Sequence, residues 1–391
     1  MGSKRKSGWA AVFLLSVIGT TTIAQPEIRP PAVLEKCSGL QLSLPQSGML
    51  AANSGSIYVG STNGVLTSYA SRDLSLEWRL EIGGEFAADI LPLEVGPVAV
   101  TNSVQNAANS GEGSIIRLIG GKTGVTSWSA DLPFSEKYFL GRSGNAIAAI
   151  SRVGVVTMFN RTGELQWRSI PFGTVTARPA FQAGRIVFGT GEKHLIVISG
   201  PNEASVSKIQ IGVVPRSVAF SKKGDLLVGG DRGNVEHIAI DDGKAAWKFK
   251  TGAAVSSIME TDEGILVTSL DNFVYLISDY NGNVIWKRRL TGRIVEGGVS
   301  LGGYFVVLVN GENTGYALEL ATGKIADVFR SNGNEIISGS PMQVRPGTFA
   351  FATTESLEIY AFGGCGAPAY QVNPAAVGLR NKRGRLFGQP L

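Results

Sequence analysis

Tryptophan recurs along this 391-residue chain at a near-constant interval, and that interval limits what the chain can fold into. After Trp9, the remaining five are Trp78, Trp128, Trp167, Trp247 and Trp286, separated by 50, 39, 80 and 39 residues. The separation of 80 is two periods with one tryptophan missing. The surroundings repeat as well. Lys122-Thr123-Gly124 precedes Trp128, Arg161-Thr162-Gly163 precedes Trp167, Asp242-Gly243 precedes Trp247, and Asn281-Gly282 precedes Trp286. In each copy the glycine lies four residues before the tryptophan. Ala321-Thr322-Gly323 repeats the turn with Asp327 in place of tryptophan, and the first copy keeps Trp78 without the glycine. A second turn comes earlier in the unit, at Asn63-Gly64, Val153-Gly154, Arg232-Gly233 and Asp271-Asn272.

Glycine turns of this kind supply the positive φ of a tight reversal. They account for much of an unusual glycine content, 51 residues of 391. Short β-rich runs flank them, such as Gly264–Thr268 and Phe273–Ile277. Each unit therefore reads as four short strands. Such a sheet cannot bury both faces alone, and units of about 40 residues stacked radially make a β-propeller. The expected fold is all-β, with blades starting near residues 48, 84, 134, 174, 213, 253, 293 and 334. That makes eight blades, or seven if the long, least regular stretch 84–133 is misread. The final unit ends at Leu357–Phe362 without a fourth strand. The left-over N-terminal run Gly39–Leu44 is expected to supply that strand and close the ring. Cys37 and Cys365 then become neighbours, and a disulfide between them is expected in an exported protein.

Residues 1–24 read as a secretory signal peptide. Lys4, Arg5 and Lys6 form a basic start, Ala10–Ile18 an apolar run, and Thr22-Ile23-Ala24 a small-residue site for cleavage between Ala24 and Gln25. The apolar run is short for a membrane span. Residues 25–36 read as a proline-containing linker, 37–365 as the propeller, and 366–391 as a basic tail with Arg380, Lys382, Arg383 and Arg385 and no acid. The whole chain has a net charge of +5. Removing three signal cations leaves +2, and setting aside four tail cations leaves the body at −2. The basic character belongs to the ends, which argues against nucleic-acid binding by the body.

The repeat of an apolar strand followed by T-G-x-x-x-W resembles the PQQ-like, quinoprotein-type propeller repeat. Its clearest copies are Thr162–Trp167 and Thr123–Trp128, and the likeness covers roughly residues 40–364. The resemblance implies that Trp78, Trp128, Trp167, Trp247 and Trp286, with Gly124, Gly163, Gly243 and Gly282, dock blade against blade. One branch of that family oxidises alcohols or sugars with PQQ and calcium, and its alcohol-oxidising members carry adjacent cysteines. This chain has no such pair and no acidic and amide cluster assignable to calcium. Neither PQQ nor calcium is therefore expected. The other branch consists of non-enzymatic scaffolds of the BamB type, which serve the machinery that folds outer-membrane β-barrels. Those proteins are normally lipid-anchored at an N-terminal cysteine. Here Glu35-Lys36 precede Cys37, which is no lipobox.

Chemistry-bearing residues are sparse. His194 and His237 fall on the third strands of adjacent units, without a set of partners for a metal. There is no G-x-S-x-G elbow, P-loop or Cys-x-x-Cys. Asn160-Arg161-Thr162 fits a glycosylation acceptor within a blade turn. The expectation is a non-enzymatic scaffold for protein partners in the bacterial periplasm or envelope, peripheral to the outer membrane. The alternative is a small quinoprotein dehydrogenase or another propeller enzyme. The tail cations offer a contact for an acidic protein or lipid surface.

Overall fold

The structure, a computed structural model, describes residues 34–42, 46–102, 113–200, 205–309, 311–333 and 335–365. The expected signal peptide, its cleavage point at Ala24 and Gln25, and the tail with Arg380, Lys382, Arg383 and Arg385 lie outside the described residues.

The chain enters on β1 (Leu34–Gln41) and then repeats one antiparallel four-stranded unit. The first sheet is β2 (Gln46–Ala52), β3 (Ser56–Ser61), β4 (Val65–Ala70) and β5 (Leu76–Glu81). The second is β6 (Leu91–Leu93), β7 (Gly96–Asn102), β8 (Ser114–Ile119) and β9 (Thr126–Leu132). The third is β10 (Tyr138–Ser143), β11 (Ala146–Ser151), β12 (Val156–Phe159) and β13 (Leu165–Arg168). Two further units follow: β14 (Val175–Gln182), β15 (Arg185–Thr190), β16 (His194–Ile198) and β17 (Val206–Gln210), then β18 (Pro215–Phe220), β19 (Leu226–Gly230), β20 (Asn234–Ile238) and β21 (Ala245–Lys250). A parallel bridge, Arg178 to Ser217, joins these two into one eight-stranded sheet. Next come β22 (Val255–Glu260), β23 (Ile265–Ser269), β24 (Phe273–Ile277) and β25 (Val284–Arg289), then β26 (Val299–Leu301), β27 (Tyr304–Leu308), β28 (Thr314–Glu319) and β29 (Ile325–Arg330). The chain finishes on β30 (Ile337–Arg345), β31 (Thr348–Thr353) and β32 (Ser356–Phe362), and β1 pairs with β32 to complete that sheet.

The arrangement is radial. First strands of successive sheets lie against one another, as β14 does against β10 and β18, while last strands do not. β30 lies against β2, so the last sheet returns to the first. The second strands β3, β11, β19, β23 and β31 are buried along their whole length. They have a neighbouring sheet on both faces, which explains their continuous apolar runs. Outer strands such as β5 and β21 instead alternate between exposed and covered positions. Each apolar cluster is shared by two adjacent sheets. Phe159 joins Val100 and Ile116 between the second and third, and Val344 and Ile359 join Ile57 and Val59 between last and first. The structure is a β-propeller, as the repeat implied. The expected start near residue 84 becomes a strand only at Leu91, because Phe86 and Ala88 first bridge Thr101 and Tyr138.

The seam differs from its sequence reading in extent. β1 runs over 34–41 instead of 39–44, pairing from Leu34 opposite Phe362 to Gln41 opposite Ser356, with a shift of register between Lys36 and Ser38 at Cys37. Three residues of the stretch read as linker are thus sheet. Leu34 is buried in a cluster with Phe349, Phe351 and Phe362, which accounts for the strand's beginning there. Cys37 and Cys365 are disulfide-bonded, with Cα atoms 5.2 Å apart. The Glu35 carboxylate accepts the Cys365 N–H at 3.1 Å. Lys36 Nζ lies 2.9 Å from Oε1 of Glu358, a carboxylate with no exposed surface. Burial, reinforced by that carboxylate, pushes the neighbouring Tyr360 hydroxyl up, so it stays protonated.

Unfolded but unreduced protein is expected to show no titratable thiol, and two after reduction. With the two cysteines 328 residues apart, Cys37→Ser/Cys365→Ser should lower stability by about 2–5 kcal/mol in urea titration. An unchanged midpoint would show that the covalent seam adds nothing to the ring. Lys36→Met, which strands the buried Glu358 carboxylate, should lower it by about 3 kcal/mol, the low end for a buried pair because Lys36 is partly exposed.

Candidate functional site

The repeated tryptophan and glycine are not partners within one unit. Trp78, Trp128, Trp247 and Trp286 each pack on the turn glycine of the following sheet. A Cβ added at Gly124 would lie 2.9 Å from Trp78, and one at Gly163 2.6 Å from Trp128. One at Gly282 would lie 2.6 Å from Trp247, and one at Gly323 2.5 Å from Trp286. The indole N–H then donates to a carbonyl of the same turn. Trp78 reaches Gly121 at 2.6 Å, Trp128 reaches Arg161 at 3.0 Å, Trp247 reaches Asp279 at 2.8 Å, and Trp286 reaches Leu320 at 2.7 Å. Two demands therefore fall on these glycines. The turn needs positive φ, +71° at Gly282, and the flat indole needs bare backbone beneath it. Trp167 packs against the buried cluster that includes Met158, Phe188 and Ile198, and the turn of the following sheet runs into 201–204, outside the described residues.

The irregular copies follow the same rule of size exchange. Gly243, expected to face a tryptophan, faces Ile209 at 3.1 Å: the tryptophan position of β17 is Ser207, opposite Val197 as Trp247 is opposite His237, and the isoleucine two residues further along the strand covers the glycine. Leu74 occupies the glycine position before Trp78, with φ +58°. The preceding strand there is β1, which has no tryptophan, and the Leu74 side chain fills that space in a cluster with Cys37 and Leu40. Asp327 replaces the tryptophan of β29 and faces the start of β1, where the following sheet has no turn glycine. Its carboxylate accepts the Leu34 N–H at 2.9 Å. Gly323 and the second role of Asp327 were visible in the sequence only as a turn without its tryptophan.

Strands two and four of each unit begin at one end of the ring, and the remaining connections emerge at the other. The propeller thus presents two rims of turns. On the first lies a groove of about 520 Å³, lined by Ser143, Asn145, Asn160, Arg161, Gln166 and Gly184. Asn145 holds the Arg161 guanidinium at 2.8 Å. The Asn160 amide is spent on its own turn, accepting from Thr162 N–H at 2.9 Å and donating to Glu164 at 2.7 Å. At the centre, Arg178 of β14 pairs with Asp89, and Glu296 accepts from Ser340 at 2.7 Å. These residues suit hydrogen bonding and charge recognition.

His237 Nε2 lies 3.2 Å from Asp225 Oδ2, and its ring meets Trp247 edge-on at 5.5 Å. His194 opens β16, a separate unit, and the structure does not bring the two histidines into one site. Among the described residues no group of three or more His, Cys, Asp or Glu is placed to hold a metal. No helix among them is long and apolar enough to cross a membrane.

Comparison with known proteins adds to this geometry. The family model described as outer membrane protein assembly factor BamB matches residues 212–363. Outer membrane protein assembly factor BamB of Yersinia pestis is 24% identical over 210 residues, 45% of this chain and 52% of that protein. The match spans about half the length of that relative. Among solved structures, BamB from Moraxella catarrhalis superposes with a TM-score of 0.66 at 15% identity, covering 84% of this chain and all, 100%, of that one. The computationally designed Ika8 protein gives 0.70 at 14%, covering 83% and 99%. The C-terminal WD40 domain of Sif2 gives 0.63 at 15%, covering 85% and 99%. These structural likenesses are likenesses of fold.

Gly282→Ala is expected to cost about 2–4 kcal/mol, since it combines backbone strain with displacement of Trp247. Gly83→Ala has a similar φ, +70°, and no atom within 4 Å of the added carbon, so it should cost about 1 kcal/mol. Equal losses in denaturant titration would mean that the indole contact contributes nothing.

Proposed function

We propose that this chain of PQQ-like, BamB-like repeats is a protein-interaction scaffold of the cell envelope that takes part in assembling outer-membrane proteins. The observation that carries the reading is the match of residues 212–363 to the BamB family model. The Yersinia pestis relative points the same way. The physical properties suit the role. Apolar clusters shared by neighbouring sheets, indole contacts from sheet to turn and a disulfide at the seam hold the rims in fixed positions. A partner meeting such a surface loses little free energy to ordering it.

In this reading the protein acts by geometry. Turns on one rim hold a partner at a set distance and angle from whatever the other rim holds. No proton, electron or group is transferred, and no cofactor takes part. The polar groove at Asn145, Arg161 and Gln166 is the candidate recognition point on the first rim.

Crosslinking in intact cells that produce the protein, followed by pull-down, is expected to recover envelope proteins of the outer-membrane assembly machinery. Recovery of this chain alone would overturn the reading.

A further inference from the structure

The outer edges of the ring are not alike. β17, β21 and β25 end their sheets on three consecutive units, and together they carry Lys208, Lys248, Lys250, Lys287, Arg288 and Arg289 with no acid. The other outer strands of complete repeats, β5, β9, β13 and β29, carry Arg79, Arg168 and Arg330 against Glu77, Glu81, Asp131 and Asp327. Cations on a sheet edge can serve simply to discourage pairing with other chains. That need is the same for every outer strand, yet only this run is charged in one sense. General edge protection does not explain the difference.

β25 adds a pattern to the charge. Its residues alternate in direction. Trp286 faces the next sheet and the Arg288 guanidinium donates to Gly323 O at 2.6 Å, while Ile285, Lys287 and Arg289 point the other way. Ile285 is 51% exposed, and Val284 beside it 44%. Lys287 sits over the Phe273 ring at 5.6 Å, which fixes its ammonium close to the strand. β25 pairs with β24 on one side only, so its far edge offers backbone donors and acceptors.

We propose that the outer edge of β25 is a docking edge for an extended acidic segment of a partner protein; Lys248 and Lys250 of β21 take no part, since Lys248 pairs with Glu236 at 3.2 Å and Lys250 donates to Asn234 at 2.9 Å. The segment adds as a further strand. Its alternate carboxylates meet Lys287 and Arg289, and an apolar side chain meets Ile285. A flat anionic membrane matches the sign of the charge, but it cannot use the backbone edge and meets a convex ring at few points. The chain's own last residues are excluded by sign, since Arg380, Lys382, Arg383 and Arg385 carry no acid among them. The inference extends the scaffold reading by naming a surface and a partner chemistry. Its test uses purified protein, so its failure is distinguishable from that of the pull-down.

The probe is a dye-labelled decapeptide of alternating glutamate and valine, followed by fluorescence anisotropy at low salt. Saturable binding is expected, weakened at least tenfold in Lys287→Glu/Arg289→Glu and by a smaller factor in Lys287→Gln/Arg289→Gln. Arg79→Glu/Lys122→Glu, on other sheets, should bind as the parent does. Circular dichroism and thermal melts establish that each variant is folded. A peptide with proline at every second residue, which lacks the N–H groups an added strand needs, should lose binding at least tenfold. Four results would overturn the proposal: equal binding to the parent and the Lys287→Glu/Arg289→Glu variant, equal binding of the proline peptide, binding to phosphatidylglycerol vesicles but not to the peptide, or a second copy of this chain occupying the edge, seen as a dimer mass lost in that variant.

Discussion

A four-stranded sheet of this composition has two apolar faces, and within the described residues only other sheets cover them. Everything else in the structure answers to that. A sheet that must be covered on both faces needs a neighbour on each side, and a row of such sheets ends only by returning to its start. The ring follows from the burial requirement. Contact between neighbours is then a matter of volume. Where one sheet offers an indole, the next offers a bare glycine, and where the indole is missing, isoleucine or leucine makes up the difference. Ile209 on Gly243 and Leu74 against Cys37 and Leu40 are two settings of one exchange.

At the seam the indole-on-glycine form of that exchange is absent, because β1 enters the sheet there without a preceding turn. Several different interactions gather at that point. They are a disulfide, an ion pair at a fully buried carboxylate, a carboxylate on the Cys365 amide, and Asp327 in a tryptophan position gripping the Leu34 amide. Each is polar or covalent. The apolar exchange available between ordinary sheets needs a turn glycine, and β1 has none to receive. Asp327, which reads in the sequence as a degenerate copy, is the fitted residue at this boundary.

Much of the fold was legible because its signals are periodic. The tryptophans and turn glycines announce a unit of four strands, and the unmatched ends announce closure. Two things were not legible. A repeat gives the spacing of Trp247 and Gly243 but not the sheet to which each belongs, since neighbours in sequence and neighbours in space carry the same motif. The indole of Trp247 in fact rests on Gly282. The start of β1 at Leu34 was hidden for another reason. A strand that pairs with residues more than 300 positions away has no local turn to mark where it begins, and here Phe349, Phe351 and Phe362 set the limit. The candidate surfaces were less legible still. Asn145 and Arg161 come from separate turns and Gln166 from β13, and Lys287 and Arg289 become an edge only once β25 is placed last in its sheet.

The joining of Cys37 to Cys365 also has a mechanical meaning. With Cα atoms 5.2 Å apart, the two cysteines make one corner from which both flanking lengths of chain depart. Tension applied between the two ends runs through the sulfur bridge and loads only the three paired residues of β1 that precede Cys37, so a pull that would peel all of β1 from β32 in a reduced chain stops at the bridge. Whatever is fastened to either flanking length is tethered to the ring at the same spot on its circumference.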